Sequence, residues 1–432
     1  MVRRRIVIVG LGALLLTGAG SVVGLRHGSD HVAAAPAAAT PVDRAADSIA
    51  RAQQRLRDVP GDYDSWAALG GAYLERARVT ADPTYYPKAE GALRRSLIIH
   101  RDGNATALIG LGALANARHD FATARDLARS ALRIDSYSAD AYGVLADAQT
   151  QLGNAAAATP AVQHMLDLRP GLAAYARASY DLELHGRLTD AESLMRRALD
   201  AAVDPADIAF CRYQLGELDW QTGRLEAASA EYAAGRAADP SYLPLLEGQA
   251  KVAAALGRTG EALAGYADLT ARYPAPMYLL EYADLLRAAG QPARADDQLA
   301  LADAALRLFA ANGGTDDLGT AQLALAQNRP ADAVRAARHE WSRRHFVDVA
   351  DVLGWALHEA GSDAQALPDA RRASALGARN AGYLFHLGMI ELSLGKKADA
   401  RRDLSAALAL NPHFSPRYAP VAQAALDRLG AP

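Results

Sequence analysis

Along most of the chain, apolar runs alternate with turns, and a small residue preceded by an apolar one returns at a nearly fixed interval. These landmarks are Gly112, Ala146, Ser179, Gly216, Ala250, Ala283, Ala321, Gly354 and Gly388, spaced by 34, 33, 37, 34, 33, 38, 33 and 34 residues. Seven residues past them stand His119, Gly153, Gly186, Gly223, Gly257, Gly290, Asn328, Gly361 and Gly395, although the whole chain has only 35 Gly. Glycine and asparagine tolerate the left-handed conformation just past a helix end, so one helix stops there. Twelve residues past the landmarks come Ala124, Ala158, Ala191, Ala228, Ala262, Ala295, Ala333, Ala366 and Ala400. Alanine at those places suits a second helix whose backbone closely approaches the first. Pro170, Pro240, Pro274 and Pro412, twelve residues further on, end that second helix. Each unit is thus a helical hairpin.

An earlier unit is built on Trp66, Leu69, Gly70 and Tyr73 with Ala89, and carries an insertion around Asp82 to Pro87. Those first four residues, together with Leu387, Gly388, Gly395, Ala400, Ala407 and Pro412, resemble the tetratricopeptide repeat family. The resemblance implies an all-α, right-handed superhelical solenoid of about ten hairpins over 63–412. It further implies a concave surface, lined by the first helices, that takes an extended peptide or a helix. Three places depart from the family pattern. Longer spacings precede Gly216 and Ala321, where a bend or break in the stack is expected, and Glu340 stands where a small residue is usual.

Ahead of the repeats, Arg3, Arg4 and Arg5 precede an uncharged apolar run from Ile6 to Leu25, closed by Arg26 and His27. Residues 1–27 therefore form either a signal anchor, contacting the membrane through 6–25, or a cleaved signal peptide. The run's length favours the anchor; its glycines and small-residue pairs leave cleavage open. In both cases the body is expected on the extracytoplasmic side, membrane-anchored or secreted. Residues 28–42 form a flexible Ala/Pro linker, 43–59 a capping helix and 413–432 a C-terminal cap with its helix from Pro416 to Leu429.

Charge and composition narrow the function. The first 31 residues carry a surplus of +3, which leaves the rest of this −3 chain at −6, so no nucleic-acid partner is indicated. Cys211 is the single cysteine, which excludes an intramolecular disulfide and Cys-based clusters. There is no phosphate loop, nucleophile elbow or HExxH, and the repeats leave no additional domain for an enzyme. His27 and His31 have a chelating spacing but sit beside Gly28 in the linker, so no cofactor or metal is expected.

Helical spacing along the inner faces selects Arg177, Tyr180, Glu183, Phe210, Tyr213, Glu217, Trp220, Glu247, Lys251, Glu281 and Asp284 as peptide-binding candidates, with Asp348 and Asp351 further on. Acids dominate. Phe210, Tyr213, Glu217 and Trp220 share one helix stripe, which is open to two readings: a rotated helix with its aromatics in the core, or an aromatic shelf rimmed by Glu183, Glu217 and Glu247. The expected function is a non-catalytic scaffold that binds a protein or peptide, basic or amphipathic, in assembly or recruitment at the outer membrane face. The alternative is an accessory subunit of a transporter or metal-handling system.

Overall fold

A computed structural model describes residues 41–430, in which twenty-two α-helices and one short 3-10 turn account for all regular structure. The segment assigned to export and most of the linker lie outside the described residues. Between Pro41–Asp58 and Ala419–Leu429, twenty helices pair into ten antiparallel hairpins: 63–99, 105–134, 139–168, 172–200, 205–238, 244–272, 276–311, 317–343, 347–373 and 381–410. Each packs on the next, so the fold is an all-α solenoid.

The sequence register explains the local structure. All nine turn positions, from His119 (φ 62°) to Gly395 (φ 73°), have positive φ. The nine alanines that follow are at most 1% exposed. Small landmarks let the paired helices touch: a Cβ on Gly354 would lie 2.8 Å from the Ala370 backbone nitrogen. Some helix starts are capped by side chains, as where Asp120 accepts from the Thr123 amide (3.2 Å) and Asn104 from that of Ala107 (3.1 Å). The second helices before the four prolines end at Leu168, Ala238, Arg272 and Leu410.

The stack also closes on itself. The inter-helix turns of hairpins two to five meet the loops that end hairpins seven to ten, five units later. Arg118 Nε donates to the Asn312 carbonyl (3.1 Å), and the Thr315 amide donates back to the Arg118 carbonyl (3.0 Å). The His345 amide donates to the Leu152 carbonyl at 3.2 Å. Gly186 abuts Gly377, and Asn411 Nδ2 donates to the Trp220 carbonyl at 2.7 Å. The seam is largely backbone against backbone.

All three departures from the repeat belong to this closure or pack without breaking the stack. The 38-residue spacing lengthens the second helix of hairpin seven to Pro292–Ala311, 20 residues. Its Phe309 ring reaches Tyr86 (6.2 Å) and His119 (5.0 Å), so it packs beside the insertion in the first hairpin. The 37-residue spacing adds the loop containing Asp204, which pairs with Arg44 of the leading helix at 3.1 Å. Glu340 is fully buried and binds Arg344, whose guanidinium donates to Gln151 across the seam and lies 5.0 Å from the Phe121 ring. The expected interruption at the long spacings does not occur, because the extra residues are absorbed in a longer helix and a loop while successive hairpins stay in contact.

The seam separates two classes of turn glycine. A Cβ at Gly153 would fall on the His345 carbonyl, whereas at Gly257 and Gly361 it would meet open space. Alanine at any of the three forces an unfavourable positive φ, at about 1–2 kcal/mol. Gly153→Ala also pushes the two turns apart, an overpacking cost of about 1–3 kcal/mol more. Urea melts of the three variants should therefore show Gly153→Ala as clearly the least stable; equal midpoints would mean the seam contributes nothing.

Candidate functional site

Winding the hairpins until the turns meet leaves a cavity of ≈ 710 Å³ inside the coil. One wall comes from the first helices of hairpins four to seven, which bring Tyr180, Glu183, Glu217, Trp220, Lys251, Glu281 and Asp284 together. The opposite wall holds Asp348 and Tyr383 from hairpins nine and ten, then the C-terminal segment from Asn411 to Pro416. The chain's own tail thus runs along the hollow, fixed by the Asn411 bond to Trp220 and by Arg417, which donates to Asp284 at 3.0 Å.

Polar side chains in the cavity wall are wired to the core behind them. Lys251 Nζ lies 2.6 Å from both Glu217 Oε2 and Glu247 Oε1. Tyr232 donates to Glu217 Oε1 (2.6 Å), Tyr213 to Glu247 Oε2 (2.9 Å) and Tyr266 to Glu281 Oε2 (3.1 Å). Although burial disfavours its charge, Glu217, Glu247 and Glu281 hold the Lys251 ammonium above its ordinary range. Burial pushes the Glu247 carboxyl well up, against the pull of Lys251. It raises Asp284 to about 6, opposed by Arg417, and Asp348 to about 6, opposed by the Tyr383 hydroxyl bond. Glu183 stands apart: its side-chain bond is from Gln221 Nε2 (3.2 Å), and burial, with Glu217 and Asp348 near it, raises it to about 7.

Seven of the eleven sequence candidates line this cavity, and four do not. Arg177 is buried and forms a two-bond pair with Asp147 (2.8 and 2.9 Å). Phe210 packs against a cluster with Cys211 and Leu215, and Tyr213 is 1% exposed in the core with Tyr232 and Leu245. Glu247 is equally buried beneath Lys251. The aromatic stripe therefore divides: Tyr213 and Phe210 are core, and Trp220 faces the hollow with Lys251 5.5 Å from its ring. Burial pushes the Cys211 thiol up to about 12, as suits a structural thiol.

Other lining residues escaped the sequence reading. Gln214 and Gln221 lie one position off the chosen stripe, on the same helix. His413 and Phe414 belong to the tail taken as a cap; the stretch between Pro412 and Pro416, too short for a helix, was the available signal. Among the described residues no three His, Cys, Asp or Glu side chains group as metal ligands, and no helix is long and apolar enough to cross a membrane. His27, His31 and residues 6–25 lie outside the described residues.

Comparison with known proteins is consistent with the repeat. Residues 381–414 match the sequence pattern of a tetratricopeptide repeat. No curated protein matches the chain. Among solved structures, a tetratricopeptide repeat protein from Parabacteroides merdae is 19% identical, covering 60% of this chain and 99% of that one with a TM-score of 0.37. The Cut9-Hcn1 hetero-tetramer of the APC/C is 13% identical over 90% and 94% of the two chains, with a TM-score of 0.35. PilW, a type IV pilus biogenesis factor, is 19% identical over 46% and 92%, with a TM-score of 0.39.

Two substitutions test the electrostatics. Glu183 holds its proton more tightly folded than unfolded, so it stabilises the fold at low pH and loses that contribution as pH rises from its usual 4.5 through about 7. Glu183→Gln should melt like the parent at pH 4.5 and above it at pH 8. Lys251→Met leaves Glu217, Glu247 and Glu281 without their cation, at a cost of about 3 kcal/mol at pH 8. That loss should shrink at pH 5, because burial raises the Glu247 and Glu281 carboxyls and favours their protonation there; thermal melts at both values measure it.

Proposed function

We propose that this chain of stacked helical hairpins, whose residues 381–414 match a tetratricopeptide repeat, is a non-catalytic scaffold that binds a polypeptide partner carrying positive charge in the hollow of its coil. One observation supports the charge: five carboxylates, Glu183, Glu217, Glu281, Asp284 and Asp348, line the cavity against a single lysine, Lys251. Such an excess attracts cationic groups and rejects anionic ones. The helical scaffold presents these side chains from rigid elements, so a guest meets a site already formed.

The amino-terminal arginines and the apolar run from Ile6 to Leu25 support a place for this scaffold at the outer face of a membrane. There it would gather or assemble partner proteins, held by the linker that precedes the coil. Protease added to intact cells lacking their outer barriers should degrade the repeat body; protection of the body would refute this orientation.

Partner binding has a direct test. Ala288 is exposed and lines the cavity, whereas Tyr137 is exposed and does not line it. A photo-reactive residue at 288 should crosslink a polypeptide in native membranes, with less product at high salt because screening weakens the attraction. The same group at 137 should give none of that product. Equal labelling from both sites, or labelling indifferent to salt, would rule the reading out.

A further inference from the structure

Most polar groups of the cavity wall are already engaged within the protein. Glu217 is bound by Lys251 and Tyr232, Glu281 by Tyr266, Asp284 by Arg417 and Asp348 by Tyr383. Glu183 accepts only the amide of Gln221. Two further lining residues, Gln221 and Gln214, each hold a buried atom, Oε1 and Nε2, without a hydrogen-bond partner in the protein. A buried amide oxygen lacking a donor costs about 1–3 kcal/mol, so a donor supplied from outside the protein would be favoured at Gln221 Oε1.

The chemistry of that guest follows from what is left over. Carboxylate Glu183 and amide oxygen Gln221 Oε1 lie together and call for N–H donors with positive charge. Trp220 and Tyr180, which also line the cavity, offer ring faces to a flat or alkyl group. The volume, ≈ 710 Å³, falls in the range of sites for small ligands.

We propose that the cavity takes one guanidinium or ammonium group on an alkyl tether, with Glu183 as its counter-ion and Gln221 as a second acceptor. This rests on the reading of the cavity as the binding site but narrows the mode to capture of a single cationic group. The cation is carried either by a free small molecule or by an arginine or lysine side chain of the partner; Gln214 Nε2 is then available for a carbonyl of the guest. The groups that face Glu183 are Glu217 and Gln221 from hairpin five, Asp348 from hairpin nine and Tyr180 on its own helix, with His413 of the tail in the same lining. Binding a cation there drives Glu183 to its ionised form, so below neutrality binding expels a proton.

Calorimetry of the full chain in detergent with agmatine provides the test. Agmatine should bind at pH 8, and Glu183→Gln should weaken it roughly tenfold or more, the scale of a lost charge-assisted bond. Glu226→Gln, at an exposed position away from the cavity, should leave it unchanged. At pH 6 the heat should depend more steeply on the buffer's ionisation enthalpy in the parent than in Glu183→Gln, whose fold is checked by circular dichroism. A capped pentapeptide with central arginine, compared with its citrulline counterpart, separates the sources. Agmatine binding through Glu183 without peptide binding would uphold the cation site and remove the polypeptide reading. Peptide binding indifferent to Glu183→Gln, or no binding of either probe, would overturn the cation site.

Discussion

The close approach of backbone to backbone between successive turns of the coil is the constraint on which the rest depends. In a simple helical array each hairpin contacts only its neighbours. Here the turns at Arg118, Leu152, Gly186 and Trp220 each meet a loop some 190 residues later, through main-chain groups and the polar side chains of Arg118 and Asn411. That approach requires turns with no side chain in the way, which Gly153 and Gly186 supply while also adopting a positive φ. One residue type thereby meets two demands, ending a helix and permitting the coil to close. The cavity exists because the coil closes around it.

Sequence periodicity revealed the elements set by helix termination and by close packing within a hairpin. The turn glycines, the buried alanines and the terminating prolines were all legible, since helix termination and close helix packing are local chemistry. The division of the aromatic stripe was not. Tyr213 and Trp220 both fall on an inward-leaning face, but Tyr213 is covered by Tyr232 of the second helix of its own hairpin and by Tyr242 of the loop that follows, and its hydroxyl is taken by Glu247, 34 residues on. Glu247 looked like a rim acid for the same reason: Lys251 lies over it, one turn along its own helix. Nor could a repeat pattern place the tail inside the hollow, because that requires the return of the coil. Glu340 is instructive here, since its misfit to the repeat was visible and its partner, an arginine that crosses to Gln151, was not.

The interior polarity has a physical logic of its own. Carboxylates in a poorly hydrated hollow repel each other and lose solvation, so most are matched with a tyrosine hydroxyl or a cation from within the protein. Lys251 compensates two acids at once and Arg417 a third. A wall organised this way is stiff, because most of its charged groups are held by a partner on another element. What it leaves unmatched marks where an outside molecule can contribute.

Closure also limits how this protein can diversify. An open array can gain or lose a unit by duplication or deletion and keep its shape, adding or subtracting one interface. With a five-unit return, excising one hairpin would shift every later loop by one place, so that the glycine turns would face the wrong segments. Loss or gain of a unit inside the stack is therefore opposed by geometry, and change falls more easily on the side chains of the walls and on the two termini.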